Sequence, residues 1–501
     1  MSADKFLSGC NSTIRTFLLL ALLFLGSLGL AQTAWGAGRE LEISDEQFQP
    51  IRPTKAVTMR EAVAIAMRNF PSIANRQFKL HASLANVTLA RTQFLPNFNV
   101  DLQEMRTTTN GITGTVMNNV SGIDAIPIES GIPSHSSRLS SVWGSNQGAN
   151  LSWLVVDFGL RSSNVKLALA DAKVARADLN LTKLDVAYGA ADSYLTAVAA
   201  KQTIRSTQAT LDRMVAANLL VKTLYSKGLQ PGVDAARADF DVSEAKIDLI
   251  KAEQATKLAL ADLAEQMGTA NADIEVVSEP LIRSPIINNR MGPFDLTSHP
   301  IALFKEAAVE RWQAKVHLID RTYYPHLWFN SSMWGRGSGA TGESRPVAGG
   351  ILPQAANYMV GFTLSLPVLE IFPLKAERKA ALNNELAEKA DLDLAIQILE
   401  RRDARARIML DESRRIARET PTLVQAAREN EIKMVERYRT GLTNMVSVAE
   451  AERVLARAEV EDAIAQIEVW RSVLALGYVQ GNLNPFLSLV AIAEGHAPRT
   501  F

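Results

Sequence analysis

The sequence predicts a mostly α-helical chain with a β-barrel part, built from a duplicated unit of helix, strand, strand, very long helix and helix, with about four strands per chain. Three observations carry this reading. Two stretches, about residues 161–268 and 375–477, are dense in Ala, Leu, Lys, Arg and Glu, all good helix formers. Four short segments instead alternate apolar with polar or small residues, the period of a strand with one greasy face. The phrase Tyr-x-x-Gly-Leu, starting at Tyr225 and again at Tyr438, punctuates both helical stretches.

At the amino terminus, residues 17–30, FLLLALLFLGSLGL, follow a segment carrying Lys5 and Arg15 and precede the small residues around Gly36. That order is a secretory signal over residues 1–36, cleaved near its end, with residues 37–57 an N-terminal extension of the exported chain. The single cysteine, Cys10 in LSGC, resembles a bacterial lipobox but precedes the apolar run instead of following it, so it reads as part of the discarded leader. The mature chain then has no disulfide and no cysteine-bound metal. Beyond residue 34 no apolar run approaches the roughly 20 residues a membrane-spanning helix needs, so any membrane crossing must use strands closed into a barrel. The 53 Lys and Arg balance 53 Asp and Glu, which leaves no net field to gather nucleic acid.

The strands are expected at about 97–105 and 149–156 in the first half, and 326–334 and 358–367 in the second. In the first, Phe98, Val100 and Leu102 alternate with Asn97, Asn99, Asp101 and Gln103; in the last, Val360, Phe362 and Leu364 alternate with Gly361, Thr363 and Ser365. Polar, Gly-, Ser- and Thr-rich loops, about 106–148 and 335–357, lie between the strands of each pair. Trp143, Trp153, Trp328, Trp334 and Tyr358 at or near strand ends fit an interfacial aromatic belt. An ordinary half-buried sheet gives the same alternation, and the strands alone leave both readings open.

The helical stretches break at 228–233 and at 441–446. Each contains a helix of roughly 65 residues, which spans on the order of 100 Å. Leu184, Ala187, Tyr188, Ala191, Leu195 and Val198 recur at three-and-four spacing, so these helices pack side by side, with alanines allowing close approach. Pro421 predicts a kink or break in the second long helix, with Thr420 capping a restart.

The halves align without interruption from strand to turn. Tyr225 pairs with Tyr438, Gly228 with Gly441, Leu229 with Leu442, and LSWLVVD at Leu151 with LSLPVLE at Leu364, all 213 residues apart. Pro96 and Pro325 lie 229 apart, so the first large loop is longer by 16 residues. The first repeat therefore covers 58–268, a linker 269–295, the second repeat 296–480 and a C-terminal tail 481–501. The doubled phrase marks the tips of two helical hairpins, where glycine supplies the freedom to reverse direction. The strands of each half are expected at one end of the molecule and the tip at the other. Four strands cannot close a barrel that needs about eight, so several copies must each contribute staves: a homo-oligomer.

In this order, twice over, TMREAVAIAMRNFPSI at Thr58, FLPNFNVDL at Phe94, LSWLVVDFGLR at Leu151 and the paired tip phrases resemble the TolC-type outer membrane efflux protein family, over about residues 57–484. The resemblance implies a homotrimer sharing one outer membrane barrel of about twelve strands above a helical cylinder through the periplasm. It implies as partners a periplasmic adaptor and an inner membrane pump, serving drug efflux or type I protein secretion, and outer membrane lipid. It places adaptor docking at Gly228, Leu229, Gly441 and Leu442, and a periplasmic gate in which Tyr438 bonds Asp234. The family's latch arginine is here Thr443; of two acidic rings at the entrance, the first position is Ser447 and the second Glu450.

Plainer readings stand beside these. The tip glycines serve a tight turn whether or not anything docks there, and Glu450 reads equally as a solvated helix residue. The Arg-rich run from Arg401 to Arg418 reads as a solvated face paired with Glu400, Asp403, Asp411 and Glu412. The six histidines lack metal-ligand spacing, and no Walker loop, nucleophile elbow or HExxH motif occurs, so no enzyme, cofactor or metal site is expected. A periplasmic hairpin adaptor or scaffold without a barrel would explain the export signal and hairpins, but not the four alternating strands.

Overall fold

The structure is a computed structural model describing residues 56–108, 141–228, 232–269, 273–285, 298–339 and 347–495. The expected signal, Cys10 and Leu229 lie outside the described residues, as do most of the extension and much of the two large loops. In chain order the elements are β1 (Ala56–Val57), α1 (Met59–Asn69), α2 (Pro71–Thr92), β2 (Asn97–Thr108), β3 (Ser141–Val156), α3 (Leu160–Ser226), α4 (Gly232–Gln266), β4 (Glu275–Val276), α5 (Pro300–Thr322), β5 (His326–Ser338), β6 (Ala355–Ser365), α6 (Ile371–Arg439), α7 (Met445–Val479) and α8 (Asn484–Ala493). They divide between two compact units. One holds the strands within Thr88–Val165 and His317–Arg378; the other is helical, with Lys166–Val316, the chain from Lys379 onward, and the segment ending at Val87.

In the strand unit the order is β2-β3-β5-β6, antiparallel throughout, so the pairing of β3 with β5 joins the two repeats. Residues opposite one another share a side of the sheet. Phe98 faces Leu151, Trp153 faces Phe329 and Phe329 faces Phe362, the last two rings 5.3 Å apart. Val100, Leu102 and Val360 continue this apolar side, and Leu102 is 76 % and Phe362 68 % exposed. The other side is polar. There Asn150 Nδ2 donates to Asp101 Oδ2 at 2.6 Å, Ser332 Oγ donates to Asn150 Oδ1, and Asn330 Nδ2 donates to Thr363 Oγ1 at 3.2 Å. The two sides differ as strictly as the period-two pattern requires.

Two expectations need correction here. β3 begins at Ser141, not near 149, and β5 continues to Ser338. Polar and glycine-containing sequence around SVWGSNQG reads as loop, yet β3 has a neighbour on each edge to satisfy its backbone, and Gly148 is where Trp334 crosses closely: a Cβ there would lie 2.7 Å from that of Trp334. The aromatic belt is also smaller than expected. Register puts Trp143, Trp153 and Tyr358 on the apolar side but Trp328 and Trp334 on the polar one, because their parity differs.

The helical unit has the long helices where the sequence places them, α3 with 67 residues and α6 with 69. A capping box of Thr58 and Glu61 starts α1. The main core joins Ala190, Ala191 and Leu195 of α3 to Trp470, Val473 and Leu474 of α7. The small side chains let the helices approach closely enough to bury Tyr194 and Trp470 completely. The Tyr194 hydroxyl lies 3.0 Å from the Val57 carbonyl and 2.9 Å from that of Val277, tying down the parallel pair β1·β4. The end of the N-terminal extension, the inter-repeat linker and the C-terminal tail are therefore core parts: Val57 and Val276 are buried, and α8 inserts Phe486 and Val490.

The break expected at Pro421 is absent, and α6 is continuous through it. Proline offers no N–H to the carbonyl of Ala417, but Gln466 of α7 supplies one through its side-chain amide at 3.0 Å. Thr420 does not cap a restart; its hydroxyl donates to Asp462 Oδ1 at 2.6 Å.

Candidate functional site

Both hairpin tips turn on a glycine in the left-handed region, Gly228 with φ 71° and Gly441 with φ 75°. After α3, Gly228 N donates to Tyr225 O at 2.9 Å; after α6, Gly441 N donates to Tyr438 O at 3.0 Å and Leu442 N to Arg437 O at 2.8 Å. The last bond reaches back five residues, as in a Schellman ending. Asn444 then caps α7 by accepting from Ser447 N at 3.0 Å. That cap also takes the Ser447 hydroxyl, so the position the family uses for one acidic ring here holds a local polar contact.

The two tips meet through a small apolar cluster of Val221 from α3, Ala238 from α4, Tyr438 from α6, and Met445 and Val448 from α7. Tyr438 is at its centre, 2 % exposed. Burial raises its phenol above the ordinary value, and the carboxylate of Asp234, in the first turn of α4, raises it further. The fold thus brings these two predicted gate residues together. The phenol sits in the field of Asp234 without completing a hydrogen bond of normal geometry. Glu450 faces solvent and contributes to the charge around Arg453, as the plainer reading expects. Leu442, 70 % exposed, stands out with Val446 and Val233 as apolar surface on the tips. Of the Arg-rich face on α6, Arg407 pairs with Asp403 at 2.7 Å and Arg415 with Glu412 at 3.0 Å, one helical turn apart.

Charge pairs also tie the hairpins together. Arg453 of α7 reaches Glu244 of α4 at 2.6 Å. Arg213 of α3 divides its guanidinium between two α7 carboxylates, Glu452 at 3.1 Å and Glu459 at 3.0 Å. Burial, reinforced by Glu431 and opposed by Arg213, pushes the Glu452 carboxyl up to about 7. The sequence reading missed this group. Its signal was available: Met445, Val448, Glu452 and Leu455 follow three-and-four spacing, a carboxylate on an otherwise apolar stripe.

Comparison with known proteins bears on the whole architecture. Residues 63–269 match the family described as outer membrane efflux protein. The chain is 24 % identical over 426 residues to the pyoverdine export outer membrane protein OpmQ of Pseudomonas aeruginosa, covering 82 % of each. Among solved structures it resembles the Campylobacter jejuni CmeC outer membrane channel, with a TM-score of 0.68 at 13 % identity over 84 % of this chain and 85 % of that one. It also resembles the outer membrane protein VceC of Vibrio cholerae, with a TM-score of 0.66 at 16 % identity over 85 % and 96 %.

Proposed function

We propose that this chain, a member of the outer membrane efflux protein family, forms with two further copies the outer membrane exit duct of a tripartite export system. The observation that carries the reading is the four-stranded sheet with one apolar, exposed side and one polar side, whose edge strands β2 and β6 have no strand partner among the described residues. An open edge bordered by Phe98, Val100 and Leu102 is unstable in water and calls for another strand. Direction alternates across the four strands, so β2 of a second copy continues the antiparallel order beside β6. Three copies give about twelve strands, an even number well above the minimum for closure, with the apolar side to lipid and the Asn, Ser and Thr side to a watery lumen.

In this reading an N-terminal signal delivers the chain to the outer membrane, and the helical hairpins serve the periplasm. The tips dock a periplasmic adaptor that links to an inner membrane pump, and the duct passes small molecules or proteins without local chemistry. Tyr438 and Asp234 form the periplasmic gate, with Glu450 at the entrance. Gly228, Leu229, Gly441 and Leu442 form the docking surface; the exposure of Leu442 supports it.

The test is cysteine substitution of Leu442 in cells, followed by crosslinking and native mass measurement of the purified particle. A trimer in the outer membrane fraction whose tip captures an adaptor is expected. A mature chain recovered as a soluble monomer would overturn the channel, and capture of an adaptor only from mid-helix cysteines would overturn the docking assignment. The barrel-free adaptor reading predicts release from membranes without detergent.

A further inference from the structure

Glu452 lies 2 % exposed on the buried stripe of α7, beside a cavity of about 200 Å³ that Arg213, Glu431, Tyr438 and Met445 also line. Its carboxylate and that of Glu431 on α6 are within hydrogen-bonding reach. Two ionised carboxylates are both acceptors and cannot bond each other; such a contact closes only around a proton. Arg213 does not remove the problem, because its second arm is committed to Glu459 Oε2 at 3.0 Å. Glu459 in turn accepts from Arg428 Nη2 at 3.1 Å.

The charged groups around Glu452 are thus Arg213 from α3, Glu431 and Arg428 from α6, and Glu459 along α7. From α4, Asp241 and Glu244 approach the same stretch of α7 but are engaged by Arg453. With every group of the inner cluster ionised, three carboxylates face two guanidiniums, leaving one uncompensated negative charge in a buried place.

We propose that a single proton shared between Glu431 and Glu452 fastens the second hairpin tip to α3, making the tip a proton-sensitive element that loosens when the proton leaves. The sign follows from linkage. The folded Glu452 holds its proton up to about pH 7, whereas the unfolded chain releases it near the ordinary value of 4.5. Its contribution is therefore full below the ordinary carboxylate range and is lost as pH rises to about 7. The consequence for conduction rests on the channel reading; the proton itself does not, and the experiment reads the proton.

Hydrogen exchange by mass spectrometry on the intact purified protein, at pH 6 and pH 8 and corrected for the intrinsic rate, tests this. Peptides covering 438–448 are expected to exchange about fivefold faster at pH 8. Glu452→Gln and Glu431→Gln should each flatten that step, while Glu436→Gln, at an exposed position, should keep it. No step in the native protein, or an unchanged step in both cluster variants, overturns the proposal. Should Glu452→Gln fail to assemble, Glu431→Gln decides. A flat profile in intact trimers removes the proton device and leaves the channel standing, whereas native protein that does not form trimers removes the channel.

Discussion

The side-chain amide of Gln466 donates to the carbonyl oxygen of Ala417 at 3.0 Å, the carbonyl that Pro421 leaves without its helical partner. A second helix thereby repairs the first. Gln466 is fixed in turn, since its Oε1 accepts from Ser284 N at 3.1 Å. Replacing Gln466 by Ala is expected to cost about 1–3 kcal/mol, most of it for the stranded carbonyl. In a Pro421→Ala background the backbone regains its own donor, and the cost should fall by about 1 kcal/mol. Exchange of the amides around residue 417 measures both. Equal costs in the two backgrounds would mean that Gln466 acts through its other contacts.

Tyr438 and Asp234 give a prediction in which stability and conduction separate. The phenol is buried and completes no normal hydrogen bond, so Tyr438→Phe should change stability by no more than about 1 kcal/mol. If the pair is a latch, the same substitution raises single-channel conductance, and Asp234→Asn does likewise. Conductance equal to the native value in both variants removes the latch.

The tip glycines give a backbone prediction free of steric confusion, because a Cβ at Gly228 or Gly441 would meet nothing within 4 Å. Gly441→Ala should destabilise its tip by about 1–2 kcal/mol through the left-handed conformation alone, and Gly441→Asn by less. Thermal unfolding of the particle and exchange at the tip report it. An alanine variant indistinguishable from native would show that the turn relaxes to another conformation.

On the sheet, side decides tolerance. Phe362→Lys places a charge on the apolar side and should cost about 2–4 kcal/mol if it lies near the middle of the bilayer, reducing trimer recovered from the outer membrane. Asn330→Lys, on the polar side, should assemble normally and alter ion selectivity instead. The opposite order of tolerance would reverse the assignment of lipid and lumen.

Much of this was legible because it is local. Helix extents follow from residue propensity, the tips from glycines that only their own backbone conformation requires, and the two sides of the sheet from parity along each strand. The pairing of Tyr438 with Asp234 was legible only through family resemblance, since 204 residues separate them. Glu452 was readable as an anomaly on its stripe, but not its partners, because nothing near it in the chain names Arg213 or Glu431.

The sequence by itself determined the duplicated order of elements, the lengths of α3 and α6, where the chain reverses, and which strand residues share a side. Tertiary structure decided that α6 survives Pro421, that β3 extends back to Ser141, that the linker and tail join the core, and that one guanidinium serves two carboxylates. The division has one physical cause. Backbone preference is set by a residue and its near neighbours, but a buried carbonyl, strand edge or charge must be satisfied by whatever group folding brings beside it, and that group comes from far along the chain.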